Sequence, residues 1–258
     1  MFDRAAFASL LIAEEYNTRI KHYGDEVAQV MLCSEACWHP GGERPQSGSG
    51  QAKNPPSRPP KGEASEGGDA PSPEDVQRAK RRASSRLFDL AACNPDLCWF
   101  WTFTQSPDEV NRYDYKDLMR RLRQWLDNRV RRSGLKYIAV IERHKDGALH
   151  LHALTNDALK KQDSGRKWQR EGIWKTVWNC PQWKWGFTTG VEMTGTRERY
   201  CRYVSKYISK GEKVGGRYFL HGGSLAEPWY TYTNMDYEAA AARREFKIEG
   251  TRKEFKIL

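Results

Sequence analysis

Two histidines one residue apart, His150-Leu151-His152, stand a short distance after Glu142, inside a stretch built like a β-hairpin. Residues 137–142 are rich in Tyr, Ile and Val, residues 148–155 alternate around apolar positions, and Asp146-Gly147 lies between them, which is a hairpin signal. A two-residue loop at Asp146-Gly147 pairs Arg143 with His150. A three-residue loop, Lys145-Asp146-Gly147 with the glycine left-handed, pairs His144 with Ala148 and Glu142 with His150. Side chains two apart on a strand share a face. In the second register His150 and His152 therefore share a face with Glu142, at the cross-strand Cβ separation of roughly 4.5–5.5 Å. Two imidazoles and a carboxylate suit a divalent cation, Mn²⁺ or Mg²⁺, that keeps positions open for a phosphate oxygen and water. His144 is the rival third ligand, and tetrahedral zinc held by His, His and Glu is the rival metal. Alone, a His-x-His on a strand is more often a pair of surface or core histidines.

A second chemistry-bearing stretch lies downstream, where the spacing predicts a helix over residues 196–210. Tyr200, Tyr203 and Tyr207 fall on one face of it, with Lys206 and Lys210 as the stripe beside them. A phenol with a pKa near 10 is a poor nucleophile at neutral pH. Adjacent ammonium groups, and a cation that polarises the target phosphate, both favour attack through the phenolate oxygen. An isolated Tyr-x-x-Lys is commonly a packed ring beside a solvated lysine; its doubling after a His-x-His strand favours chemistry.

The composition agrees. The 258 residues carry a formal charge of +10, which points to a polyanionic partner, and ten Trp and twelve Tyr supply faces on which bases can stack. No apolar run approaches the ~18–20 residues of a membrane span, and the opening Met1-Phe2-Asp3-Arg4 lacks a signal-peptide pattern. A cytosolic protein with six reduced cysteines is expected.

The elements that must position these residues can be read in order. Residues 3–32 predict one or two amphipathic helices, so that 1–39 forms a helical N-terminal segment. Between Pro40 and Pro73 lie eight of the twelve prolines and almost nothing to bury, which predicts a disordered linker over 40–73. Cys33, Cys37 and His39 before that linker, with Cys93 and Cys98 after it, make a structural zinc site conceivable, although the spacings are irregular. A helix over residues 74–92 carries Arg78, Arg81 and Arg82 as candidate phosphate contacts, and one over 113–132 carries Arg120, Arg121 and Arg123. Strands follow from residues 98–104 and 184–194, with a helix near 168–178 between the hairpin and the last strand. The fold class is α+β, an antiparallel sheet with helices on one face, in a domain over 74–235 followed by a charged helix or tail over 236–258.

Together Phe100-Trp101-Thr102-Phe103-Thr104, His150-Leu151-His152 and the two Tyr-x-x-Lys patterns at 203 and 207 resemble the three motifs of the HUH endonucleases. The resemblance is strongest to the rolling-circle replication initiators of small plasmids and single-stranded DNA phages, the ORF2/gene II type, and spans about residues 90–235. It implies an RRM-like nuclease core, and a metal on Glu142, His150 and His152 that binds the scissile phosphate. It further implies attack by tyrosine, leaving a 5′-phosphotyrosine bond and a 3′-OH that primes synthesis. Tyr207, flanked by Lys206 and Lys210, is expected to attack first and Tyr203 second. Expected partners are single-stranded origin DNA and the host helicase and polymerase, in the cytoplasm of a bacterium carrying a plasmid, phage or integrated element. No P-loop pattern follows the nuclease region, so a fused helicase is not expected. Alternatives are a single-tyrosine transposase of the same chemistry and a non-catalytic RRM-like nucleic-acid binder that stacks bases on its tryptophans.

Overall fold

The computed structural model describes residues 15–24, 28–38, 72–143, 146–170, 172–193, 203–205, 208, 217–236, 248–249 and 252–257. The chain divides into two compact units, residues 1–73 with 229–258, and residues 74–228.

The strands of the first unit are β1 (Glu15–His22), β2 (Ala28–Trp38), β10 (Trp229–Thr233), β11 (Ile248–Glu249) and β12 (Arg252–Ile257), numbered along the whole chain. They form an antiparallel sheet in the order β10-β1-β2-β12-β11. The helix expected over residues 3–32 is thus replaced, where described, by strands. Along β1 the buried side chains are Tyr16 and Thr18, two apart, which is the strand period. Ile20 and Val30 add β-branched pairing partners. The stretch expected as a charged helix or tail over 236–258 contributes, where described, two strands, β12 pairing with β2 with Phe255 opposite Val30.

The strands of the second unit are β3 (Trp99–Gln105), β4 (Tyr137–Arg143), β5 (Leu149–Thr155), β6 (Gln162–Arg170), β7 (Ile173–Asn179), β8 (Gly186–Glu192) and β9 (Leu220–Gly222). They form a seven-stranded antiparallel sheet in the order β6-β7-β8-β3-β5-β4-β9. Helix α1 (Pro73–Cys93) precedes the sheet, and α2 (Tyr115–Ser133) connects β3 to β4. The Asp114 side chain caps α2 by accepting from the Asp117 backbone N–H. Helix α2 buries Leu118, Met119, Leu122, Trp125 and Leu126 in one cluster with Trp99, Trp101 and Phe103 of β3 and with Ile141, Leu151 and Ala153. Trp101, the largest fully buried side chain among the described residues, lies opposite Gly190 of β8, where a Cβ would stand 2.4 Å from its ring.

The helix expected near residues 168–178 is instead the β6–β7 hairpin, with Trp168 opposite Lys175 and Gln169 opposite Trp174. Gly172, at φ 79°, sits in its turn, and Trp, Ile, Thr and Val dominate β7, so turn and strand chemistry prevail over the roughly helical spacing of the tryptophans.

Candidate active site

The β4–β5 hairpin has the register that places the carboxylate across from the first histidine. Glu142 pairs with His150, and Arg143 with Leu149. Gly147 has φ 85°, the left-handed turn position, and the Asp146 carboxylate accepts from the Ala148 backbone N–H at 3.0 Å. Of the rival third ligand, His144, nothing is described.

Three rows of side chains cross the sheet face that carries the histidines. The outermost runs Glu142, His150, Thr104, Phe187. Behind it runs Val140, His152, Thr102, Thr189. The innermost runs His221, Ile138, Leu154, Phe100, Val191. Since residues alternate faces along a strand, the residues between these, Trp101 and Phe103 among them, point to the α2 side. The face is dry at its inner end, where Ile138, Val140 and Leu154 are buried. It opens outward: His152 is buried, Thr102, Thr104, His150 and Glu142 are partly exposed, and Phe187 is 73% exposed. The histidines therefore stand at the boundary between core and solvent.

Each histidine is oriented by a threonine of β3. Thr102 Oγ1 lies 3.1 Å from His152 Nδ1, and Thr104 Oγ1 lies 3.5 Å from His150 Nδ1. His152 Nε2 is 2.9 Å from Glu142 Oε2, so the carboxylate reaches diagonally from its place opposite His150. Among the described residues no group of three or more His, Cys, Asp or Glu side chains is placed so as to hold a metal ion. By donor type alone, two imidazoles and a carboxylate are groups that a divalent cation takes. A neutral imidazole whose Nε2–H donates to Glu142 accepts the Thr102 hydroxyl proton at Nδ1. With a cation in place of that Nε2 proton the ring carries its proton on Nδ1, and the hydroxyl, able to donate or accept, becomes the acceptor.

Residues 203–205 and 208 are helical. The Tyr203 ring meets Phe100 edge-on with centroids 4.9 Å apart, and Phe100 in turn stacks beside His152 at 6.0 Å. Tyr203 therefore lies on the histidine face of the sheet, opposite α2, so described helical residues meet both faces rather than the expected one. Val204 and Ile208 are buried, which fixes this segment against the unit. Tyr207, Lys206 and Lys210 lie outside the described residues. At the inner row, burial and the Arg86 and Arg217 charges push His221 below the usual histidine range, against a smaller opposing effect of Glu227.

The remaining sequence candidates are dispersed. Arg120 and Arg121 belong to α2, behind the sheet, and both donate to Asp117 at 2.5 Å. These bonds hold the Asp117 carboxyl below the usual carboxylate range. Arg123 is exposed on the same helix. Arg78, Arg81 and Arg82 are exposed on α1, Arg78 at 3.6 Å from Asp75. Of the cysteine set, Cys33 and Cys37 belong to the first unit, Cys93 and Cys98 to the second, and His39 is not described. Sequence reasoning matched Thr102 and Thr104 to a motif without giving them a task; their signal was spacing, two residues apart on a strand like the histidines they support.

One face of this antiparallel sheet thus carries the His-x-His strand and its cross-strand glutamate, and the helical Tyr203 meets that face at Phe100. Residues 98–212 match the family model of the replication-associated proteins of the ORF2/gene II protein type. That match supports a Rep-type replication initiator role, and it spans β3, the histidine hairpin and Tyr203. No curated protein and no solved structure matches the chain. No helix among the described residues is long and apolar enough to cross a membrane.

Proposed function

We propose that the protein initiates rolling-circle replication by nicking and rejoining single-stranded DNA at an origin through a covalent 5′-phosphotyrosine link. The reading rests chiefly on one observation: Glu142, His150 and His152 share the sheet face that Tyr203 meets at Phe100.

Glu142, His150 and His152 would hold Mn²⁺ or Mg²⁺, which when bound supplies positive charge to a phosphate oxygen and stabilises the charge developing during displacement. Thr102 and Thr104 hold the imidazole rings in place, and their hydroxyls would accept the Nδ1 protons when the Nε2 atoms turn to a cation. The tyrosine oxygen attacks phosphorus, the phenolic proton leaves to solvent or a neighbouring base, and the bond to the 3′ oxygen breaks to release a 3′-OH. Lys206 and Lys210 favour the phenolate. Because one phosphoester replaces another, the bond energy is conserved and the link can be reversed by attack of a 3′-OH, which rejoins the strand. Two tyrosines, Tyr203 and Tyr207, would permit alternating attacks that begin and end a round.

His150→Ala separates chemistry from binding. The variant is expected to lose Mn²⁺-dependent nicking of single-stranded origin DNA by at least about 100-fold, while retaining most of its affinity, since phosphate contacts by the basic helices are separate. Nicking at the wild-type rate by His150→Ala would overturn the metal assignment.

A further inference from the structure

Resting on the reading above, we propose that Phe187 is the stacking platform for an unpaired base of the bound strand, next to the phosphate held at the histidines. The ring stands in the same cross-sheet row as Glu142, His150 and Thr104, two strands beyond His150. At about 4.8 Å per strand that places it about 10 Å away. It is 73% exposed, the most exposed large hydrophobic side chain among the described residues.

Its surroundings choose the occupant. A protein partner requires a contiguous apolar surface, yet among the described residues Phe187 has Thr104 across from it in the row and Thr189 two along its strand. A single ring bordered by hydroxyls offers one π-face and adjacent hydrogen-bonding groups, which is the chemistry a nucleobase takes. The net charge of +10 favours the polyanion that carries such a base.

The platform is also held still. Gly186, at φ 141°, passes so close to β3 that a Cβ would stand 2.4 Å from the Thr104 carbonyl oxygen and 2.5 Å from the Ser106 nitrogen. Ser106 N–H donates to the Trp185 carbonyl at 2.8 Å, and Phe187 pairs with Thr104. The backbone is thus pinned immediately before and at the ring, so stacking costs little ordering.

The test measures fluorescence anisotropy of the full chain with oligothymidylate and with an abasic deoxyribose-phosphate strand of equal length and charge. Wild type is expected to prefer the base-bearing strand. Phe187→Ala should weaken that strand on the order of ten-fold and leave the abasic strand unchanged, and Phe187→Trp should restore the preference. Equal weakening of both strands, or of neither, overturns the proposal. A covalent adduct assay on the wild-type protein separates this from the nuclease reading: base preference without adduct removes the nuclease and leaves the platform, while adduct without an effect of Phe187→Ala does the reverse.

Discussion

At the scale of single residues, the consequential pairing is between threonine and histidine. Glu142, His150 and His152 could be picked out from residue types and an assumed register, and the β4–β5 hairpin has that register. The diagonal reach of Glu142 to His152, rather than to His150 opposite, was not legible, because it is a rotamer choice among partners already adjacent. Nor was the task of Thr102, which depends on β3 lying beside β5 instead of elsewhere in the sheet. If its hydroxyl orients the His152 ring and accepts its Nδ1 proton in the metal-bound form, Thr102→Val should weaken Mn²⁺ binding about 10–100-fold, measured by calorimetry, and Thr102→Ser should restore it. Unchanged affinity in Thr102→Val would show the hydroxyl to be a bystander.

Elements were legible where their signals are local. Helix α2 has its cap, its apolar stripe and a glycine stop within one stretch, and the histidine hairpin has its turn glycine and its alternation. The N-terminal strands were not, because β1 and β2 are paired by β10 and β12, far along the chain, and a short stretch with mixed periodicity reads as helix until a distant strand claims it. The β6–β7 hairpin was missed for a related reason: tryptophans at 168, 174 and 178 suggest a helical face, yet they belong to paired strands. Packing between elements carries its own prediction. Gly190→Ala pushes a methyl group into the Trp101 ring, and with α2 behind that ring there is little room to yield. The expected loss is about 1–3 kcal/mol of stability in denaturant unfolding, with no change if the strands can separate freely.

For the whole molecule, two units with distinct sheets replace the expected helical appendage and single sheet, and the family match falls within the second. The first unit has an acid sensitivity of its own. His22 stacks on Trp229 at 3.7 Å and lies 2.9 Å from Thr231 Oγ1, and burial holds its pKa below the ordinary 6.5. A histidine depressed in the folded state takes up its proton more readily when unfolded. Its contribution is therefore complete above about pH 6.5 and declines as pH falls below that value. Proton NMR should find His22 titrating below 6.5, with thermal stability dropping between about pH 7.5 and about pH 5.5; a His22 midpoint above 6.5 would reverse the sign. The central claim, covalent strand transfer by a tyrosine of residues 196–210, is tested most directly by trapping the protein on single-stranded origin DNA with Mn²⁺ and mapping the modified residue by mass spectrometry. The account predicts a phosphotyrosine at Tyr207, lost in Tyr207→Phe, while Tyr203→Phe still nicks but fails to turn over. Absence of any covalent adduct, or its location on a tyrosine outside residues 196–210, would contradict it.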